Sequence, residues 1–225
     1  IKFGKNIDLD ATVSETVWIQ GGNETYLTTN TIDTIVSTDG ADIYDCKIEG
    51  HTIVGTELTF VVQTVTLTGQ TDVLLGTPLA RVSRMYNDNG TELVGEISIF
   101  DSTGTSTAGV VTPASSIHMK LLAGDQQSEK CATSFSNTDY GVITQFIGGQ
   151  SSKSTALLEF ELEIKEPGKV WKNRYHFGSS DTTVNIVLNP YIIVPKNSDV
   201  RMKCTSNTNN TEVFASIHFL LLAVQ

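Results

Sequence analysis

The chain has 225 residues, of which 39% are hydrophobic and 18% charged, and it carries a formal net charge of −10. That is enough apolar material for one large all-β domain or two small ones. The acidity argues against direct binding of nucleic acid, whose phosphates it would repel. Three cysteines, Cys46, Cys131 and Cys204, form no C-x-x-C pair, which excludes a disulfide framework or a zinc site of ordinary spacing. The apolar run Phe219–Val224 is too short to span a bilayer, so no membrane partner is expected. No secretory leader is legible in these residues, which begin at Ile1 without a Met.

Thr, Ser, Asn and Gly dominate, and they suit exposed strand faces and turns. Long Ala/Leu/Glu/Lys runs are missing, so the expectation is an all-β chain. Ile1–Thr31 is polar and reads as an N-terminal arm with a strand over Val13–Ile19. Gly21-Gly22-Asn23 then permits positive φ and a tight turn. Trp18, with Ile19 beside it, is the expected anchor of this arm, against either its own domain or another subunit. Thr31–Val36, Ala41–Glu49 and Glu57–Leu67 read as strands. Val65 and Leu67 share one face of the last, and Thr64, Thr66 and Thr68 the other. Gly69-Gln70 turns the chain, and Val73–Leu75 is expected to return as a hairpin. The arm and these strands make a small β subdomain over 1–77, with a boundary at Thr77-Pro78 and a second unit over 78–225.

Leu79–Tyr86 is the next strand, Asn87-Asp88-Asn89-Gly90 a turn, Glu92–Phe100 a strand, and Asp101–Gly109 a surface loop. Ile117–Phe146 then lies, without a gap, on Pro190–Phe219: Lys130-Cys131 falls on Lys203-Cys204, and Phe146 on Phe219. Each copy reads as a β-hairpin. Duplication of half a sandwich and chance similarity both account for the match. Val200, Met202 and Cys204 face inward in the second copy, where the first has Gln127, Glu129 and Cys131. The polar first copy is therefore less buried or meets another chain. Trp18, Ile19, Gln127 and Glu129 are accordingly the candidate subunit contacts. Cys131 and Cys204 are either neighbours or two separate small buried hydrophobes.

Leu157–Phe177 is the clearest hairpin. Leu158, Phe160, Leu162 and Ile164 alternate with Glu159, Glu161, Glu163 and Lys165, a strict period of two. Glu166-Pro167-Gly168-Lys169 suits a type II turn. Pairing Glu166 with Lys169 places Ile164 opposite Trp171, Phe160 opposite Tyr175 and Leu158 opposite Phe177. The same register matches Glu163 with Lys172, Glu161 with Arg174 and Glu159 with His176, so the acidic row is a solvated face with partners. Thr183–Leu188 and Tyr191–Pro195 follow as strands, and Phe219–Val224 reads as a strand buried on both faces. At least eleven strands with short turns predict an antiparallel β-sandwich or jelly roll, preceded by the small subdomain and the arm.

No catalytic constellation is legible: there is no nucleophile elbow, Walker loop or dinucleotide fingerprint. His51, His118, His176 and His218 stand without partners at ligand spacing, so no metal site and no cofactor are expected. Asn87–Gly90 opens like a calcium loop but lacks the later ligands, and reads as a turn. The sequons at Asn23, Asn89 and Asn209 matter only in a glycosylating compartment. Trp18, Trp171 and Tyr191 are the candidates for a sugar-stacking platform, although the hairpin register turns Trp171 inward.

Four stretches then carry a resemblance: Glu15-Thr-Val-Trp-Ile-Gln-Gly-Gly22; Thr64-Val-Thr-Leu-Thr-Gly-Gln70 with Thr77-Pro-Leu-Ala-Arg-Val-Ser-Arg84; Leu122-Ala-Gly-Asp-Gln-Gln-Ser128; and Val194-Pro-Lys-Asn-Ser-Asp-Val-Arg201. In this order they resemble a family of virion structural proteins of tailed, especially marine, bacteriophages, associated with the capsid or neck. The resemblance implies a non-enzymatic accessory or decoration protein, located in the virion after assembly in the host cytoplasm. Its implied partners are other virion proteins, the major capsid or neck protein, and further copies of itself, with a trimer the symmetry expected. The alternative expectation is a receptor- or carbohydrate-binding module of a phage fibre or spike, using loop Asp101–Gly109 or Asn207–Asn210.

Overall fold

The computed structural model describes residues 1–151, 156–180 and 183–223. Among these there is no α-helix, only a single 3₁₀ turn at Ala114–Ser116. In chain order the strands are β1 (Lys2–Leu9), β2 (Glu15–Thr16), β3 (Ile32–Ser37), β4 (Asp45–Val54), β5 (Glu57–Thr66) and β6 (Val73–Leu79). Then come β7 (Arg81–Asn87), β8 (Ile97–Asp101), β9 (Thr105–Thr107), β10 (Val110–Thr112), β11 (Ile117–Leu121) and β12 (Ala132–Ser134). The last are β13 (Asp139–Gln150), β14 (Leu158–Lys165), β15 (Lys172–Ser179), β16 (Val184–Val194), β17 (Asp199–Ser206) and β18 (Thr211–Ala223). All the strand pairs within the sheets are antiparallel.

The chain divides into two compact units, 1–24 with 130–225, and 25–129. The second is thus inserted in the sequence of the first. Thr77 and Pro78, the expected boundary, both lie within β6 of the inserted unit. Turn residues near a Pro mark local chain reversal, which does not distinguish a domain boundary from a strand with a Pro in it.

In the first unit, one sheet runs β1-β18-β13-β16 and the other β12-β17-β14-β15, with β2 added beside β17. Their inner faces share one core that includes Phe135, Phe146, Phe160, Leu162, Met202 and Ile217. Phe160 of one sheet stacks on Phe177 at 5.0 Å, and Phe177 on Phe146 of the other sheet at 5.0 Å. Burying such a side chain contributes roughly 1.5–3 kcal/mol. The polar N-terminus is part of this unit. β1 pairs along β18 from Lys2↔Ile217 to Leu9↔Thr211, and Leu9 is fully buried. Its inward Asn6 donates to Glu15 at 3.0 Å, and Glu15 accepts from the Gly22 amide at 2.7 Å, which satisfies these buried polar groups. Gly21 and Gly22 have φ of 72° and 67°, as the turn required.

The Leu157–Phe177 ribbon forms as β14 and β15, and the Lys169 amide donates to the Glu166 carbonyl at 3.0 Å with Gly168 at φ 68°. The register differs from expectation. Phe160 lies opposite Phe177, Leu162 opposite Tyr175, and Ile164 opposite Lys172, with Arg174 extruded where the register shifts. Trp171 falls before the strand and stacks over the Arg201 guanidinium at 4.1 Å. From Leu158 to Leu162 the shift is by two residues, so inward and outward faces survive there, while beyond the bulge Lys172 falls opposite the inward Ile164. In the acidic row Glu159 approaches His176 at 3.8 Å as expected, while Glu163 takes Arg201 at 2.7 Å and Glu161 takes Asn173 at 3.2 Å instead. Arg174 pairs with Glu166 instead.

The stretch that matches itself in the sequence is split by the fold. Ile117–Leu121 lies in the inserted unit, while its counterpart from Pro190 lies in the first. The remainder, Cys131–Phe146 and Cys204–Phe219, is not a pair of hairpins. Each passes from one sheet to the other, and the two pair with one another, β12 with β17 and β13 with β18. The Cys131 carbonyl accepts from the Met202 amide at 2.9 Å, which puts the two cysteines on neighbouring segments of one core, both as free thiols.

The inserted unit has a sheet β11-β8-β3-β6 and a sheet β5-β4-β7, with its own core around Ile35, Ile48, Leu79, Met85, Ile97 and Met119. Val65 and Leu67 face that core, as their alternation with threonines required. The turn at Gly69 forms, with φ 67°, yet β5 pairs β4 while β6 pairs β3. The chain changes sheet there rather than making a hairpin. The segment expected as the loop Asp101–Gly109 contains β9, which forms a short ribbon with β10. The strand expected over Glu92–Phe100 is confined to its second half, β8, although Leu93 is buried.

Candidate interaction surface

Trp18 and Ile19 are consumed by their own unit. Trp18 is 4% exposed, its indole N–H donates to the Gly22 carbonyl at 3.1 Å, and its backbone bridges to Lys130. The Lys130 ammonium lies 5.6 Å from the ring centre and donates to Glu24, with both charged groups buried. Sequence reasoning singled out Trp18 and missed the Lys130–Glu24 pair, because 106 positions separate its two members. Gln127 and Glu129 are half-buried and belong to the inserted unit. Gln127 bridges to Tyr86 and accepts from Arg84, whose guanidinium lies 4.6 Å from the Tyr86 ring. Trp18 and Ile19 thus belong to the first unit, and Gln127 and Glu129 to the inserted one.

Among the described residues, no group of three or more His, Cys, Asp or Glu could hold a metal ion. His118 and Asp101 form a buried pair at 2.9 Å. Burial opposes ionisation of Asp101, but hydrogen bonds from His118 and Thr103 outweigh it and hold the carboxyl below its usual value. Nearby Ser116 donates its hydroxyl to the Pro113 carbonyl at 2.8 Å, so it is not poised against His118. Asp42, fully buried, accepts from the Ser37 hydroxyl at 2.5 Å and from the Val94 and Gly95 amides at 2.8 Å, tying connecting segments together. Burial first, then Asp42 and Asp45, pushes the Cys46 thiol up to about 12, and burial also raises Cys131 and Cys204. Such thiols remain protonated and unreactive.

The loop groups proposed for glycan binding are engaged in holding chain. The Asn207 carboxamide oxygen accepts from the Leu157 amide at 2.8 Å, and that of Asn209 accepts from the Ala11 amide at 2.8 Å. Of the three platform aromatics, only Tyr191 is exposed.

The conspicuous surface is apolar. At one end of the β1-β18-β13-β16 sheet, Val142 lies opposite Leu220 on one side and Ile193 on the other, and Tyr140 lies opposite Leu222. Strand alternation puts these on the face away from buried Ile143. Leu220 and Leu222 are 58% and 52% exposed, Ile193 is 68% exposed, and Tyr191, two residues before it, is exposed as well. β18 runs past its last pairing with β1 at Ile217, and Leu221, on the inner face, is 59% exposed. No family model matches this chain, and neither a curated protein nor a solved structure similar to it was found.

Proposed function

We propose that the protein is a non-enzymatic structural component of a virion, a decoration or other accessory protein of a tailed phage that acts through contacts between subunits. In this reading the first unit is a jelly roll. Its eight longer-range strands, in chain order β1, β12, β13, β14, β15, β16, β17 and β18, pair first with last, second with seventh, third with sixth and fourth with fifth. That is the pairing of one long antiparallel ribbon rolled until its halves face each other. The inserted unit then occupies the connection between the first two strands.

The observation that carries the reading is the exposed apolar sheet end, on a chain whose buried titratable groups are paired for structure. Contiguous apolar surface on a soluble acidic protein marks a place where another surface belongs. The partners in this reading are further copies of the chain in closed symmetry and the capsid or neck proteins of the particle. Light scattering over a concentration series tests it. A mass of 24.4 kDa at every concentration, the mass of one chain, counts against self-assembly, and absence of the chain from purified particles counts against the virion.

A further inference from the structure

The run Phe219-Leu220-Leu221-Leu222-Ala223 has no polar alternation, the pattern of a strand covered on both faces. Among the described residues it is covered on neither beyond Phe219. Phe219 packs edge-on against Phe135 at 5.3 Å, and there the core ends. Leu221 on the inner side and Leu220 and Leu222 on the outer are all more than half exposed. Three consecutive exposed leucines on a regular, paired strand are not explained by folding of this unit, since apolar surface is favoured in burial.

We propose that a second copy of this chain docks on the sheet end formed by Tyr140, Val142, Ile193, Leu220 and Leu222, with the β18 tip as the central element of the contact. This rests on the self-assembling reading above and names its surface. Two features select a second copy. The first is charge: the face is lined by uncharged side chains, whereas the chain as a whole carries −10, so like copies can approach closely there without opposing their charges. The second is area. With Tyr191, side chains of this size and exposure offer on the order of 500 Å² of apolar surface, at the upper end of what a monomer commonly shows. A polar rim around it brings it towards the ~800 Å² per partner that a stable interface uses. A face that meets itself is self-complementary, the condition for a closed two-fold contact.

The test is the light-scattering mass of the full chain and of three variants. The wild type is expected at an even multiple of 24.4 kDa, the mass of one chain, as a two-fold contact requires. The double variant Leu220→Lys with Leu222→Lys is expected to lose that contact, and the mass falls accordingly with an unchanged far-UV spectrum. Ile193→Lys, which leaves β18 untouched, is expected to do the same and guards against misfolding of the double variant. Val54→Lys with Leu74→Lys, at exposed positions of the inserted unit, is expected to leave the mass unchanged. A wild type that is monomeric throughout removes the self-assembling reading and this contact with it. A wild-type oligomer that persists in both folded face variants removes only the contact. Flotation of the wild type with neutral phosphatidylcholine vesicles, abolished by the face variants, would overturn the second copy in favour of a lipid surface.

Discussion

Lys130 donates a hydrogen bond to Glu24 from 106 positions further along the chain, and both side chains are almost wholly buried. They are the residues at which the first unit gives up the chain to the inserted unit and receives it back. A buried pair of this kind recovers in mutual attraction what its desolvation costs, so its removal is asymmetric. Lys130→Met or Glu24→Gln alone strands a buried charge, and each is expected to cost about 3–5 kcal/mol. Glu24→Leu with Lys130→Met together is expected to cost much less. Urea denaturation of the four proteins measures this, and a double variant whose loss equals the sum of the two single losses would show that the pair is not coupled.

Because Glu24 and Lys130 touch, the ends of the inserted unit enter and leave the first unit at neighbouring points. Each unit also has a separate core. Replacing 25–129 by a short Gly/Ser turn is therefore expected to leave a folded first unit, with a cooperative thermal transition and dispersed amide resonances. A collapsed spectrum without a transition would mean that the first unit depends on the inserted one for its fold.

β1 is held by close backbone approach. A Cβ on Gly4 would lie 2.2 Å from both the Cys131 amide nitrogen and the Val17 carbonyl oxygen. Backbone cannot yield as a side-chain tip can, so Gly4→Ala must push β1 away from its neighbours. The expected loss is about 1–3 kcal/mol or more, read by denaturation together with faster amide exchange along Lys2–Leu9. A variant as stable as the wild type would show that β1 contributes little.

The Asp101–His118 pair makes stability depend on acid. The folded-state pKa of Asp101 lies below its ordinary value, so its contribution is complete above about pH 4 and is lost as the pH falls through the lower folded value. Asp101→Asn is expected to melt well below the wild type at neutral pH, with the gap narrowing in strong acid. A gap that is constant with pH would mean that the charge of Asp101 plays no part.

All three thiols are buried and held protonated. Ellman's reagent is expected to find none in the native protein and three in denaturant. Rapid reaction of Cys131 or Cys204 in native conditions would show that the first unit's core opens readily.

Local patterns in the sequence decided local structure. Alternation at Val65–Leu67 and along Leu158–Ile164 set which side chains go inward, and Pro167-Gly168 set a turn, because these depend only on residues within reach of one strand or one reversal. The bland appearance of Ile1–Thr31 concealed an integral strand, since β1 is held through its backbone, Gly4 and a satisfied Asn6 rather than through an apolar stripe. The apolar run Phe219–Val224, expected as a strand buried on both faces, is instead exposed at Leu220–Leu222, with Val224 outside the described residues.

Which strand pairs with which was decided by tertiary structure alone. A backbone edge offers the same donors and acceptors to any partner, so the turn at Gly69 could not say whether β6 would return to β5 or cross to β3. Nor does distance along the chain forbid Lys2 from meeting Ile217, because closing a loop costs only about 0.6 kcal/mol more for each doubling of its length. Periodicity therefore determined faces and turns, while shared burial of distant side chains chose the partners. That choice split the apparent repeat between two units, placed Cys131 beside Met202, and left the β18 leucines bare.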